Sequence, residues 1–166
     1  MSFIISSKWL PRYFWENLIG MFFSKTFGYA LRGILYVSLM QDEQRKVQID
    51  EIAKKLSVPK HFLGKIMKEL VKAGLLQSTK GPYGGFYLTE KTLTTPLLRL
   101  AEITGDVNQF DFCVLQLRTC NDINPCPLHD QADTIKEKLQ NLFTKTTIAD
   151  LMNEDKNRFI KSLATF

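Results

Sequence analysis

The chain has 166 residues, 45% of them hydrophobic and 23% charged, and carries a net charge of +5. No stretch approaches the roughly 18 uninterrupted apolar residues of a membrane-spanning helix, and the length suits one hydrophobic core with appendages rather than two catalytic domains. With only two histidines, no nucleotide-binding glycine motif and no paired nucleophile and base, the residues argue against an enzyme.

The first 22 residues are aromatic and apolar, but Lys8, Pro11, Arg12 and Glu16 interrupt them, and they lack the pattern of an export signal. They read equally as an amphipathic arm that packs on the body or lies on a membrane surface, and as an upstream extension with Met21 as the natural start of the folded domain. From Ser24, an N-cap residue, the segment SKTFGYALRGILYVSLM places Phe27, Ala30, Leu31, Ile34 and Val37 at helical spacing. A short helix is expected from Ile49 to Leu56, with Asp50 and Glu51 at its positive end. Ser57, Val58 and Pro59 break it. A third helix runs from Lys60 to Ala73, turns Leu63, Ile66, Met67 and Leu70 inward, and closes at Gly74. Short helix, tight turn and longer helix is helix-turn-helix order.

Beyond Gly74 the period changes. LLQSTK and GFYLTE read as two strands joined by Gly81-Pro82-Tyr83-Gly84-Gly85, a hairpin that in this context is a wing. Its glycines answer both to the turn's need for positive φ and to close backbone approach to DNA. A short helix is expected between Thr94 and Gly105, then a loop up to Pro127, then a stripe of Leu128, Ala132, Ile135, Leu139 and Leu142 at heptad spacing. That stripe suits a helix packing on its own domain and on a twin; a single amphipathic helix without a partner is the plainer alternative. The tail from Ile148 reads as one or two short helices. The fold class is therefore mainly α with a small β-hairpin wing: a winged helix-turn-helix domain plus a long C-terminal dimerisation helix. The expected division is an extension at 1–22, a DNA-binding domain at 23–92, a linker helix and cysteine-containing sensing loop at 93–127, and a dimerisation helix with tail at 128–166.

Charge is segregated along this plan. From Ala53 to Gly81 seven lysines face one acid, Glu69; from Glu102 to Asp155 ten acids face four bases. A basic head on an acidic body suits a polyanion that touches only the head. Side chains near the N-terminal end of a recognition helix read base edges in the major groove. Lys65 is placed to reach a guanine edge, His61 a base or a phosphate, and Lys60 or Lys68 to neutralise backbone charge, while Phe62 reads first as an anchor of the helix and second as a contact to a thymine methyl. Gly64 costs helix stability and suggests close approach of something to its face. Lys80, Tyr83, Gly84 and Gly85 complete the DNA-facing set at the wing.

Three cysteines, Cys113, Cys120 and Cys126, fall within fourteen residues, and His129 follows three places after the last. An odd number clustered this way argues against a secreted disulfide framework and for a metal site or reactive thiols in a reducing, cytoplasmic setting. Three thiolates and an imidazole can complete a four-ligand set for an iron-sulfur cluster or a zinc ion. Pro127 suits the first turn of a helix, whose N-terminus would favour the Cys126 thiolate.

The run IDEIAKKLSVPKHFLGKIMKELVKAGLLQSTKGPYGGFYLTE, and above all KGPYGGFYL, resembles the winged-helix core of the bacterial IscR/NsrR/CymR regulator family, from about Phe23 to Met152. The resemblance implies a homodimeric transcription factor with double-stranded DNA as partner, no membrane, and dimer contacts on the helix after the loop. It aligns His61, Phe62, Lys65 and Lys80 with DNA-contacting positions, although their residue types differ. It also implies a cluster, of 2Fe-2S or 4Fe-4S type, on the three cysteines, with His129 as fourth ligand in some members. In others that ligand comes from the N-terminal part of the partner, near Glu16 or Lys25. The first cysteine interval holds six residues where five are expected. The resulting expectation is a repressor that senses redox, iron-sulfur or nitrosative state through this loop of three cysteines and one histidine. Two alternatives fit the same residues: the same DNA-binding regulator without metal, gated by thiols or a ligand, and a membrane- or protein-tethered winged-helix interaction module; zinc or no cofactor would stand in place of the cluster.

Overall fold

The structure is a computed structural model describing residues 23–41, 45–111, 113, 115 and 121–153. The expectations for residues 1–22, for Cys120 and for the tail beyond residue 153 lie outside the described residues. Helix α1 (Lys25–Gln41) is the central rod. Ser24 begins it as the sequence predicts, its hydroxyl oxygen accepting the Phe27 N–H at 3.1 Å. Ala30, Ile34 and Val37, at helical spacing on α1, are wholly buried.

Helices α2 (Ile49–Leu56) and α3 (Lys60–Lys72) pack against α1. The turn between them contains Ser57 in the left-handed region, φ 53°, which lets the chain reverse within three residues. Ile52, Leu63, Met67 and Leu70 are almost completely buried. Where α1 and α3 cross, a Cβ on Gly33 would come within 3.1 Å of the Met67 Sδ, so glycine there permits the close crossing. Gly74, φ 75°, ends α3, and the N–H groups of Leu75 and Leu76 return to the Leu70 carbonyl.

Strands β1 (Gln77–Thr79) and β2 (Gly85–Tyr87) pair antiparallel in the register Gln77–Tyr87, Ser78–Phe86, Thr79–Gly85. Val47, from the segment before α2, adds a single bridge on the other edge of β2 by exchanging backbone bonds with Phe86 at 3.0 and 2.8 Å. The second strand stops at Tyr87 and does not run on to Glu90. Beyond it the Gln41 side chain both accepts from the Leu88 N–H (2.7 Å) and donates to its carbonyl (3.1 Å), replacing a partner strand. Thr89 and Thr92 then cap a single-turn helix α4 (Glu90–Leu93). Pro96 separates α4 from α5 (Leu97–Thr104), so the helix expected from Thr94 begins after the proline.

A 3-10 turn (Val107–Phe110) leads into the cysteine loop. Helix α6 (His129–Lys145) follows the loop, and α7 (Ile148–Asn153) folds back, with Ile148 almost fully buried. Backbone bonds from Leu97 N–H to the Thr146 carbonyl and from Ile148 N–H to the Thr95 carbonyl fasten this end to α5. Pro127 lies in the turn ahead of α6 rather than in its first helical turn, because the His129 N–H closes a tight turn onto the Cys126 carbonyl at 2.9 Å.

Candidate nucleic-acid interface and cysteine loop

Burial of Leu63, Ile66, Met67 and Leu70 forces the remaining face of α3 outward. His61, Lys65, Lys68 and Lys72, spaced by four, three and four residues, are all exposed and make one stripe along the helix. Lys72 is paired with Glu69 at 2.6 Å and Lys60 with Asp50 at 2.7 Å. Among the described residues no ion pair engages Lys65 or Lys68, which leaves them as the cations of the stripe that can meet phosphate without first giving up a partner. Phe62 is 39% exposed; its ring meets the Tyr29 ring edge-on at 5.7 Å, and the Arg32 guanidinium lies 4.7 Å from the Tyr29 centroid. The sequence did not single out Tyr29 or Arg32, since an aromatic and a cation three apart on a helix are common.

The wing follows this helix in the chain. Lys80 is exposed and Tyr83 is 95% exposed at the tip. A Cβ on Gly84 would overlap the Thr79 carbonyl, and one on Gly85, φ 152°, would come within 2.7 Å of the Val47 carbonyl oxygen. Internal packing alone therefore requires both glycines. The tip is also tied to the helix-turn-helix, because the Gln48 amide donates to the Pro82 carbonyl at 2.9 Å. Gln48 occupies the N-cap of α2 yet makes no side-chain bond to its own helix. Nothing in its local sequence signals that reach of 34 positions.

In the loop, Cys113 and Cys126 are half-buried. His129 is largely covered, and its Nε2 lies 3.1 Å from Oδ1 of Asp122, a residue that no motif in the sequence marks out. A turn in which the Asn121 carboxamide oxygen accepts from the Ile123 and Asn124 N–H groups shapes the approach. The described residues contain no group of three histidine, cysteine or acidic side chains close enough to hold a metal. The donor chemistry, soft thiols with an imidazole braced by a carboxylate, fits an iron-sulfur cluster or zinc, for a ligating histidine ordinarily gives its other ring nitrogen to such a group. Cys113, Cys126 and His129 are not brought together as a ligand group, and Cys120 lies outside the described residues.

Residues 23–154 match the family model described as Rrf2, iron-dependent transcriptional regulator. The chain belongs to the Rrf2 family. It is 39% identical over 142 residues to an HTH-type transcriptional regulator of Aquifex aeolicus (strain VF5), covering 84% of this chain and 97% of that one. A 63-residue stretch is 38% identical to the HTH-type transcriptional regulator NsrR of Geobacillus kaustophilus (strain HTA426), covering 38% of this chain and 42% of the relative. Among solved structures, the fold matches CymR, the global cysteine regulator of B. subtilis, with a TM-score of 0.64 at 19% identity, over 80% of this chain and 97% of CymR. It matches T. potens IscR with a TM-score of 0.62 at 16% identity, over 85% and 93% of the two chains. The protein is a winged-helix transcriptional regulator, not an enzyme. None of its described helices is long and apolar enough to cross a membrane.

Proposed function

We propose that this regulator is a cytoplasmic homodimeric repressor that inserts α3 of each protomer into successive major grooves of a pseudo-palindromic operator. The carrying observation is the exposed stripe of His61, Lys65 and Lys68 on α3, with Lys80 and Tyr83 on the adjoining wing. Half-sites would lie one helical turn, about 34 Å, or a multiple of it apart. The described part of residues 23–92 does the reading on this proposal; 93–127 forms the linker and sensor, and 128–166 the dimer contact. Support for the last comes from α6, where Phe143 is the buried residue while Ile135 and Leu142 are 63% and 55% exposed. With Leu128 and the half-buried Ala132 and Leu139 they form an apolar line suited to a second copy.

Cys113, Cys120, Cys126 and His129 would hold the sensing group. An iron-sulfur cluster there supplies one-electron chemistry and reactivity toward oxidants when bound; the chain's own part is to present thiols and a braced imidazole. The family's description as iron-dependent supports this reading. A metal-free, thiol-gated switch is the second reading, favoured by the fact that no three histidine, cysteine or acidic side chains among the described residues come close enough to hold a metal. Anaerobic purification decides between them. Colour with iron and sulfide in fixed ratio to protomer, bleached in Cys120→Ala, is expected for the first; a colourless protein still switched by thiol oxidation establishes the second. Duplex binding whose affinity does not fall with salt would overturn the DNA-reading proposal itself.

A further inference from the structure

Helix α5 ends at Gly105, φ 79°, and the next residue, Asp106, turns back into the body, where it is only 2% exposed. Its carboxylate accepts three hydrogen bonds: from the Ser24 N–H at 2.6 Å, the Ser24 hydroxyl at 2.8 Å and the Thr104 hydroxyl at 2.7 Å. The Ser24 oxygen is in turn the acceptor for the Phe27 N–H. A buried acid 82 positions away thus holds the cap of α1 at the helix's positive end.

Four rings close around the same place. Phe23 stacks on Phe143 at 4.6 Å and 10°, and Phe110 meets both edge-on, at 5.8 and 5.4 Å. Phe27 completes the group, 4.8 Å from Phe23 and 5.6 Å from Phe143. Phe110 stands three residues before Cys113, and Phe143 is the buried residue of α6. The start of α1, the stem of the cysteine loop and the helix after that loop therefore meet in one aromatic joint. From there α1 runs as a rigid rod of 17 residues whose Gly33 and Tyr29 bear on Met67 and Phe62 of α3.

We propose that Asp106 is a positioning residue that transmits the state of the cysteine loop to the recognition helix through the cap of α1. The proposal rests on the reading of the loop as a sensor. A shift of Phe110 or of the chain after it alters the purchase of Asp106 on Ser24, and α1 carries the change to α3. An acid that only stabilised the fold would be needed equally in every state of the loop.

The test uses the full chain, whose cysteines all lie in the loop, so that alkylation with iodoacetamide perturbs the loop alone. In the wild type, alkylation should change amide exchange in the first turn of α1 and duplex affinity, each by about fivefold or more. In Asp106→Asn the unmodified protein should already exchange fast there, and alkylation should change neither quantity. Ser24→Ala, which leaves two of the three bonds to the carboxylate, should give an intermediate response and serves if Asp106→Asn fails to fold. Wild-type amides in α1 that ignore alkylation, or an Asp106→Asn or Ser24→Ala protein with the full wild-type response, would overturn the proposal. Because alkylation needs no iron, absence of iron from the purified protein would count against the cluster and leave this result standing.

Discussion

Lys60 Nζ lies 2.7 Å from Oδ1 and 2.8 Å from Oδ2 of Asp50, joining the first residue of α3 to the first turn of α2. Both side chains are mostly exposed, so the pair adds little stability, about 0.2 to 1 kcal/mol. On the proposed mode of DNA reading, its larger effect is to occupy a cation at the N-terminal end of α3. Asp50→Asn should release Lys60, tighten duplex binding at low salt and steepen the slope of log K against log salt by about 0.9. Fluorescence anisotropy over a salt series reads both quantities. An unchanged slope would show that Lys60 does not reach phosphate.

Gly64 offers a second separation of stability from binding. It sits inside α3, and a Cβ built there meets nothing within 4 Å. Gly64→Ala should therefore stabilise the fold by about 1 kcal/mol, since helix propensity and the unfolded chain's entropy both favour alanine. If the bare backbone at this position approaches a groove, the same substitution weakens operator binding. Urea midpoints and operator affinity should move in opposite directions. A variant that is more stable and binds equally well would remove Gly64 from the interface.

Helix α6 makes a prediction about assembly. Ile135 and Leu142 are one heptad apart and exposed, so Ile135→Glu with Leu142→Glu leaves the core untouched. The double variant should sediment as a monomer with an unchanged circular dichroism spectrum, and it should lose most of its affinity for a two-half-site operator. Persistence of the dimer would place the two-fold contact elsewhere.

The Tyr36–Glu51–Arg45 cluster contributes to the response to pH. Arg45 donates to both Glu51 oxygens at 2.7 and 2.8 Å, and the Tyr36 hydroxyl donates to one of them at 2.7 Å. The bonds from Arg45 hold the Glu51 carboxyl below its usual range, against the opposing effect of partial burial. Its contribution to stability is therefore complete above about pH 4.5 and is lost as pH falls through the lower folded value. Burial, followed by the bond to Glu51, pushes Tyr36 up to about 12. Its contribution is complete below pH 10.0 and is lost as pH rises through the folded value. Glu51→Gln should flatten the acid limb of a stability profile and Tyr36→Phe the alkaline limb. Variants that track the wild type along both limbs would show that this cluster does not govern them.

Periodicity and punctuation alone were enough to reveal the helix-turn-helix and its wing. Leu63, Ile66, Met67 and Leu70 repeat at helical spacing whatever surrounds them, and Gly74 and Pro59 act on their own neighbours through φ and the missing N–H. Local rules also located Ser24 as a cap. They failed where a distant side chain replaced a local partner: Gln41 ended β2 early by bonding Leu88, and Gln48 left its own helix to hold Pro82. Asp106 was legible only as one acid among ten in the acidic half of the chain. Its role at the cap of α1, like the meeting of Phe23, Phe110 and Phe143, arises because folding closes loops of tens of residues and buries the charge where donors already point. Spacing along a chain encodes which face a residue takes; which group it meets across the core is decided by packing.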